Sequence, residues 1–138
     1  MLSLENVNVA YGDVQVLWDV SMSIDQGELV ALVGANASGK STTINTLSGL
    51  VKPLSGSITF DGQPIHGMNP HKIVELGIVQ VPEGRQLFSH MSVMENLELG
   101  AFTAQARKSR KKNIDMVFDI LPDLKAKAKT FAVELSGG

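Results

Sequence analysis

Short apolar runs separated by turn formers fill the first ninety residues. Leu2-Ser-Leu-Glu-Asn-Val-Asn-Val-Ala-Tyr11 alternates apolar and polar positions, the period of a half-buried strand. Gly12-Asp13 reads as a turn. A second strand follows, with Val16, Trp18, Val20, Met22 and Ile24 predicted on one face. Asp25-Gln26-Gly27 then turns the chain into Glu28-Leu-Val-Ala-Leu-Val33, a continuous apolar run that predicts a buried strand. Ser41-Thr-Thr-Ile-Asn-Thr-Leu-Ser48 comes next, with Ile44 and Leu47 at helical spacing and Gly49 placed to end a helix. Past a connector rich in turn formers, Ser57–Phe60 predicts a short strand closed by Asp61-Gly62. Asn69-Pro70 predicts a helix start, with Asn69 as cap and Ile73, Val74 and Leu76 on its apolar side until Gly77. Ile78–Pro82 predicts a further strand, leading into the polar loop Glu83-Gly-Arg-Gln86.

After this loop the period changes from two to 3.6. Ser92-Val-Met-Glu95 is a capping box and predicts a helix through about Phe102. Ile114, Val117, Phe118 and Leu121 fall at i, i+3, i+4 and i+7, an amphipathic helix ended by Pro122. The pattern implies an α/β chain in two parts. Residues 1–91 carry an antiparallel β part and a strand–loop–helix core, and residues 92–138 are helical.

Composition narrows the class. At 138 residues and 43% hydrophobic content, the chain is one ordinary domain or part of a larger one. A net charge of −2 argues against a general nucleic-acid binder, so no nucleic-acid partner is expected. The absence of cysteine removes a disulfide framework and cysteine-ligated metal. His66, His71 and His90 lack metal-ligand spacing and read as solvated. The start is no signal peptide and no run reaches membrane-spanning length. A cytoplasmic protein is expected, attached to a membrane only through a partner. Arg107-Lys-Ser-Arg-Lys-Lys112 reads first as a solvated helix face, and second as a contact for anionic lipid or an acidic partner surface.

The chemistry concentrates in Gly34-Ala35-Asn36-Ala37-Ser38-Gly39-Lys40-Ser41, with Thr42 beyond: Gly, four residues, then Gly-Lys-Ser between a predicted strand and a predicted helix. Burying a triphosphate without partners would be very costly. Turn amides and the free N–H groups of a helix start supply those partners. Gly34 and Gly39 lack a Cβ, so the main chain can approach closely. Lys40 adds a point charge for the β- and γ-phosphates, and the Ser41 hydroxyl offers a hard oxygen to Mg²⁺. Tyr11, the sole tyrosine, stands just before a turn. Its position alone suits packing on the core better than stacking on a nucleotide base.

The last residues, Leu135-Ser136-Gly137-Gly138, follow the loop lysine behind a helical segment. With Leu4–Gly12, Gly34–Thr42, Val81–Phe88 and Ser92–Leu97, they make the chain resemble the ATP-binding-cassette family of transporter ATPases over its whole length. In particular it resembles the second ATP-binding subunit of bacterial high-affinity branched-chain amino acid importers. The resemblance implies a P-loop cassette fold and ATP with Mg²⁺ as ligands. It makes Tyr11 the aromatic that stacks on adenine, and Gly34–Thr42 the phosphate loop. Leu135 to Gly138 become the signature motif, which closes over the nucleotide of a second ATP-binding subunit paired head to tail. The helical part becomes the docking surface for membrane-spanning permease subunits, which place the protein on the inner face of the cell membrane. Gln80 is near the glutamine that most cassettes carry between their two parts, but counting back from Ser92 puts Glu83 there, as a Mg²⁺ and water ligand. Ala37 stands where many members have Gly, and no positive φ is expected of it.

Cassettes continue past the signature into a strand ending in Asp-Glu and a switch histidine. Without them the chain is expected to be an N-terminal fragment that binds ATP and is inactive alone, with the apolar edge at residues 28–33 exposed. Cassettes of DNA repair and chromosome structure place long coiled coils before the signature, and GTPases need Asn-Lys-x-Asp; neither feature is present.

Overall fold

β1 (Leu2–Tyr11) pairs with two strands at once, and the first half of the chain is built around it. β2 (Val14–Ile24) runs antiparallel on one side and β3 (Ser55–Phe60) antiparallel on the other, with the short β4 (Gln63–Pro64) beyond, giving the order β2-β1-β3-β4. In the computed structural model, residues 1–84 and 86–135 are described, and they fall into two units, Met1–Gln80 and Val81–Gly138.

The β1–β2 ladder is not regular. Val7 faces Val20 and Val9 faces Leu17, so β2 carries one residue more than β1 between these pairs. Such a bulge turns the chain by one position, and one position exchanges the two faces of a strand. Leu17 is therefore buried at 3% exposure, while Trp18 is 69% exposed. That corrects the expectation of Trp18 on the apolar face; Val16, Val20 and Met22 do pack against the core. Asp19 takes φ 45° at the bulge, and Asn8 pins it. The Asn8 Oδ1 accepts from the Asp19 N–H at 3.0 Å and from Gln15 Nε2 at 2.8 Å. Its Nδ2 donates to Asp19 Oδ1 at 2.8 Å and to Ser55 Oγ at 3.1 Å.

Beneath the sheet lie α1 (Lys40–Leu47) and α2 (Pro70–Glu75). Leu4, Val7, Val9, Leu17, Leu47, Ile58, Ile65 and Ile73 form the core. α1 ends where expected, at Gly49 with φ 74°. Pro70 opens α2 as expected, but Asn69 precedes it without a side-chain cap bond.

Two predicted strands do not form. Residues 28–33 form no ladder, with Leu29 fully exposed and Val33 at 85%. Residues 78–82 are likewise unpaired, although Ile78 packs on the core. A strand's backbone groups are satisfied by a neighbour, and among the described residues none lies alongside either run.

The second unit is helical: α3 (Val93–Gly100), α4 (Ala104–Lys108), α5 (Arg110–Ile120), α6 (Pro122–Ala126) and a 3₁₀ turn at Ala132–Glu134. The Ser92 capping box is complete. Ser92 Oγ accepts from the Glu95 N–H at 3.2 Å, and the Glu95 carboxylate accepts from the Ser92 N–H at 2.7 Å. α3 stops two residues short of Phe102, and Thr103 caps α4 through the Ala106 N–H at 3.1 Å. Pro122 ends α5 and is also the first residue of α6, a position that needs no N–H donor. Residues 128–133 fold back on the start of α3: Val93 N–H donates to Thr130 O at 3.0 Å and Ala132 N–H to Met91 O at 2.9 Å.

Candidate functional site

The phosphate loop is shaped by two left-handed residues. Gly39 has φ 89° and Ala37 has φ 64°. The second overturns the expectation for Ala37: the turn does demand a positive φ there, and a Cβ makes that conformation strained by about 1–2 kcal/mol. Gly34 has no positive φ, and a Cβ on it would lie 2.6 Å from Ser38 Oγ, so that hydroxyl would have to turn away. Gly39 needs both its positive φ and the space, because a Cβ there would lie 2.6 Å from Leu17 Cδ2. The bulge that turns Leu17 inward thus sets the floor on which the loop turns.

Lys40 lies across the loop. Its ammonium donates to Gly34 O at 2.9 Å and to Ala35 O at 2.6 Å, with Ser38 Oγ at 3.5 Å. The Ser38 N–H donates to Ala35 O at 3.2 Å and closes the turn between. α1 starts directly at Lys40, and its cap residue, Gly39, brings no side chain. The first intrahelical bond runs from the Thr43 N–H to Gly39 O at 2.8 Å, so the N–H groups of Lys40, Ser41 and Thr42 precede the helical ladder. Ala35, Asn36 and Ser41 are exposed, whereas Thr42 is buried at 8%. An anion held here would meet helix-start amides, the positive end of the α1 dipole and the Lys40 ammonium together. The donors fit phosphate oxygens. Ser41 contributes one hydroxyl in the first turn, which suits Mg²⁺, an ion that keeps water and phosphate oxygens for its remaining positions.

Tyr11 ends β1 and is 49% exposed, opposite Val14 at the hairpin tip. Packing on the core, the reading its position favoured, is not what the structure shows. Leu17, which backs Gly39, pairs with Val9 two residues before it, so this edge of the hairpin and the loop share one support.

Gln80 is bonded to α1. It accepts from Ser48 Oγ at 2.6 Å and donates to Asn45 Oδ1 at 3.1 Å, which fastens residues 78–80 to α1. Glu83 lies in the second unit, exposed, with its carbonyl accepting from Gln86 Nε2 at 3.4 Å. Asn96 steadies the stretch that follows, exchanging bonds with Phe88 N and O at 3.0 and 3.1 Å. Leu135 donates its N–H to Ala132 O at 3.3 Å. Ser136, Gly137 and Gly138, the rest of the expected signature, lie outside the described residues.

Asn8 and Leu17 were not among the site residues drawn from sequence. Their signal was a run of Asn and Asp (Asn6, Asn8, Asp19) inside alternating strands, where residues that tolerate left-handed backbone mark bulges.

The family model described as ABC transporter matches residues 17–138. The chain belongs to the ABC transporter family. It is 40% identical over its full length to the high-affinity branched-chain amino acid transport ATP-binding protein BraG of Pseudomonas aeruginosa, spanning 59% of that protein. It is 36% identical to the probable branched-chain amino acid transport ATP-binding protein LivF of Archaeoglobus fulgidus, spanning 58%. A nucleotide-free ATP-binding cassette from an ABC transporter superposes with TM-score 0.81 at 29% identity, over 99% of this chain and 59% of the other. A bacterial ABC transporter cassette solved as a dimer gives 0.79 at 26%, over 99% and 64%. The architecture is therefore that of a P-loop cassette in the α/β class. The chain spans under two thirds of these relatives.

Proposed function

We propose that this chain is the ATP-binding part of an ABC importer ATPase that drives uptake of branched-chain amino acids. The observation that carries the nucleotide reading is Lys40, held at Gly34 and Ala35 across a loop whose helix-start amides lack a capping side chain. The solute is supported by the printed functions of the two relatives above. Gly34 to Thr42 hold the phosphates of ATP, Tyr11 stacks on the base, and the Ser41 hydroxyl ligates Mg²⁺. When bound, that ion neutralises phosphate charge. Residues 1–91 form the nucleotide-binding part and residues 92–138 the helical part. Leu135, Ser136, Gly137 and Gly138 act on the nucleotide of a second ATP-binding subunit, and the dimeric relative supports such pairing. Permease subunits dock on the helical part and hold the protein at the inner face of the cell membrane. No described helix is long and apolar enough to cross a membrane. Hydrolysis of ATP by the paired subunits is the activity this reading assigns.

Calorimetry with Mg-ATP tests the assignment. Lys40→Ala should weaken binding more than tenfold, because one hydrogen bond from a charged group contributes about 1.5–3 kcal/mol. Its circular dichroism should match the parent, since Lys40 bonds only within the loop. Unchanged affinity would remove the phosphate-loop reading.

A further inference from the structure

The corner between α4 and α5 carries five cations in six positions, Arg107 to Lys112. Arg107 is engaged: its guanidinium donates to Phe102 O at 3.0 and 2.8 Å. Lys108, Arg110, Lys111 and Lys112 are all exposed. The described ion pairs join Met1 to Asp61 and Lys72 to Glu75, so none involves this corner. Lys108, in the last turn of α4, suits the dipole of that helix, but the other three do not serve theirs. Arg110, Lys111 and Lys112 occupy the first turn of α5, which has no acidic residue and no side-chain cap. Positive charge at a helix N-terminus opposes the macrodipole, a local rule broken with no return inside the fold.

The same face also carries two exposed apolar side chains beside two carboxylates, Asp115 and Asp119. Lys112, Met116 and Ile120 follow at i, i+4 and i+8, opposite Ile114, Val117 and Phe118. Met116 is 54% and Ile120 68% exposed. Lys108, Lys111, Lys112 and Met116 line one shallow depression with Asp115 and Asp119. The charge is also segregated along the chain. Residues 81–138 hold nine Lys and Arg against seven Asp and Glu, whereas residues 1–80 hold three against seven.

We propose that this face of α4–α5 lies directly on an anionic lipid surface, independently of any permease contact. Lys-rich clusters are attracted to negatively charged headgroups, and a basic helix with exposed apolar residues in line with its cations suits the headgroup–acyl boundary. An acidic protein surface fits less well, because Lys is depleted from protein interfaces. Three of the four available cations are Lys.

Sedimentation of the full chain with vesicles tests this. The parent should bind phosphatidylcholine vesicles containing phosphatidylglycerol, ignore phosphatidylcholine alone, and be released as salt shortens the screening length. Replacing Lys108, Arg110, Lys111 and Lys112 together by Gln should lower partitioning more than a hundredfold, at roughly fivefold per cation. Met116→Ser with Ile120→Ser should lower it severalfold and leave the salt dependence in place. Circular dichroism checks that each variant folds, and Mg-ATP affinity should be unchanged in both, so the result stands apart from the nucleotide reading. A quadruple variant that sediments like the parent would overturn the proposal. So would a parent that binds poly-glutamate and ignores the anionic vesicles.

Discussion

In the first unit, eight apolar side chains from three strands, two helices and a loop are buried together. In the second, the buried apolar residues among those described are Val93, Ala101, Phe118 and Ala132, and the helix ends are fastened by hydroxyls, a carboxylate and the Asn96 amide. One unit rests on long-range burial and the other leans on local polar contacts. The difference teaches where damage should spread. It also throws the 28–33 run into relief, which has the side chains of a core strand and stays in water.

The sharpest test sets one substitution in two places. Leu17→Ala removes a side chain that is 3% exposed and packs beneath Gly39. It should cost about 2–5 kcal/mol, the transfer term plus the cavity it leaves. Leu29→Ala removes the same atoms from a residue that is fully exposed. It should change stability by less than about 0.5 kcal/mol. Urea unfolding of both variants measures the gap. Equal losses would mean that Leu29 is covered in solution, which sedimentation equilibrium would then show as self-association.

A smaller effect is expected inside the phosphate loop, where an alanine, rather than an asparagine or aspartate, takes a left-handed backbone. Ala37 holds φ 64° against the preference of its Cβ. Ala37→Gly relieves about 1–2 kcal/mol of strain and loses about 0.5–1 kcal/mol through the freer unfolded chain. The net should be a gain of up to about 1.5 kcal/mol, read as a higher urea midpoint. A lower midpoint would show that Ala37 is not left-handed.

These contrasts explain which features were legible in the chain. The phosphate loop, the Ser92 capping box and the Asp61-Gly62 turn are local devices. The capping box and the turn are a few residues whose conformation depends on themselves, whereas the loop also rests on Leu17; Asp61 and Gly62 both take positive φ, as a tight hairpin requires. The β2 face was misread because a bulge is set by a residue on another strand: Asn8 decides which way Leu17 and Trp18 point. The strands expected at 28–33 and 78–82 failed for a related reason. Apolar periodicity states what a segment would bury, whereas a strand exists only when a neighbour completes its ladder. Ala37 was misjudged because the loop's dihedrals follow from closing the turn around Lys40, which no single letter records.

The least effect, and the one that separates the units by pH, comes from Glu95. Its carboxyl is held below the usual carboxylate range, chiefly because the Ser92 N–H donates to the ionised form and secondly because the Ser92 hydroxyl does. The folded state therefore takes up this proton less readily than the unfolded chain. The stabilisation is present above the ordinary glutamate range and is lost as pH falls through it to the lower folded value. Glu95→Gln keeps the shape and removes the charge. The difference in urea midpoint between parent and variant should be greatest near neutral pH and vanish on the acid side of the carboxylate range. Glu75 also titrates low, first through its hydrogen bond from Lys72, but it belongs to the first unit and is common to both proteins, so it cancels from the difference. A difference that stays constant with pH would show that α3 is capped without the ionised carboxylate, and that the second unit depends less on its polar devices than its sparse burial implies.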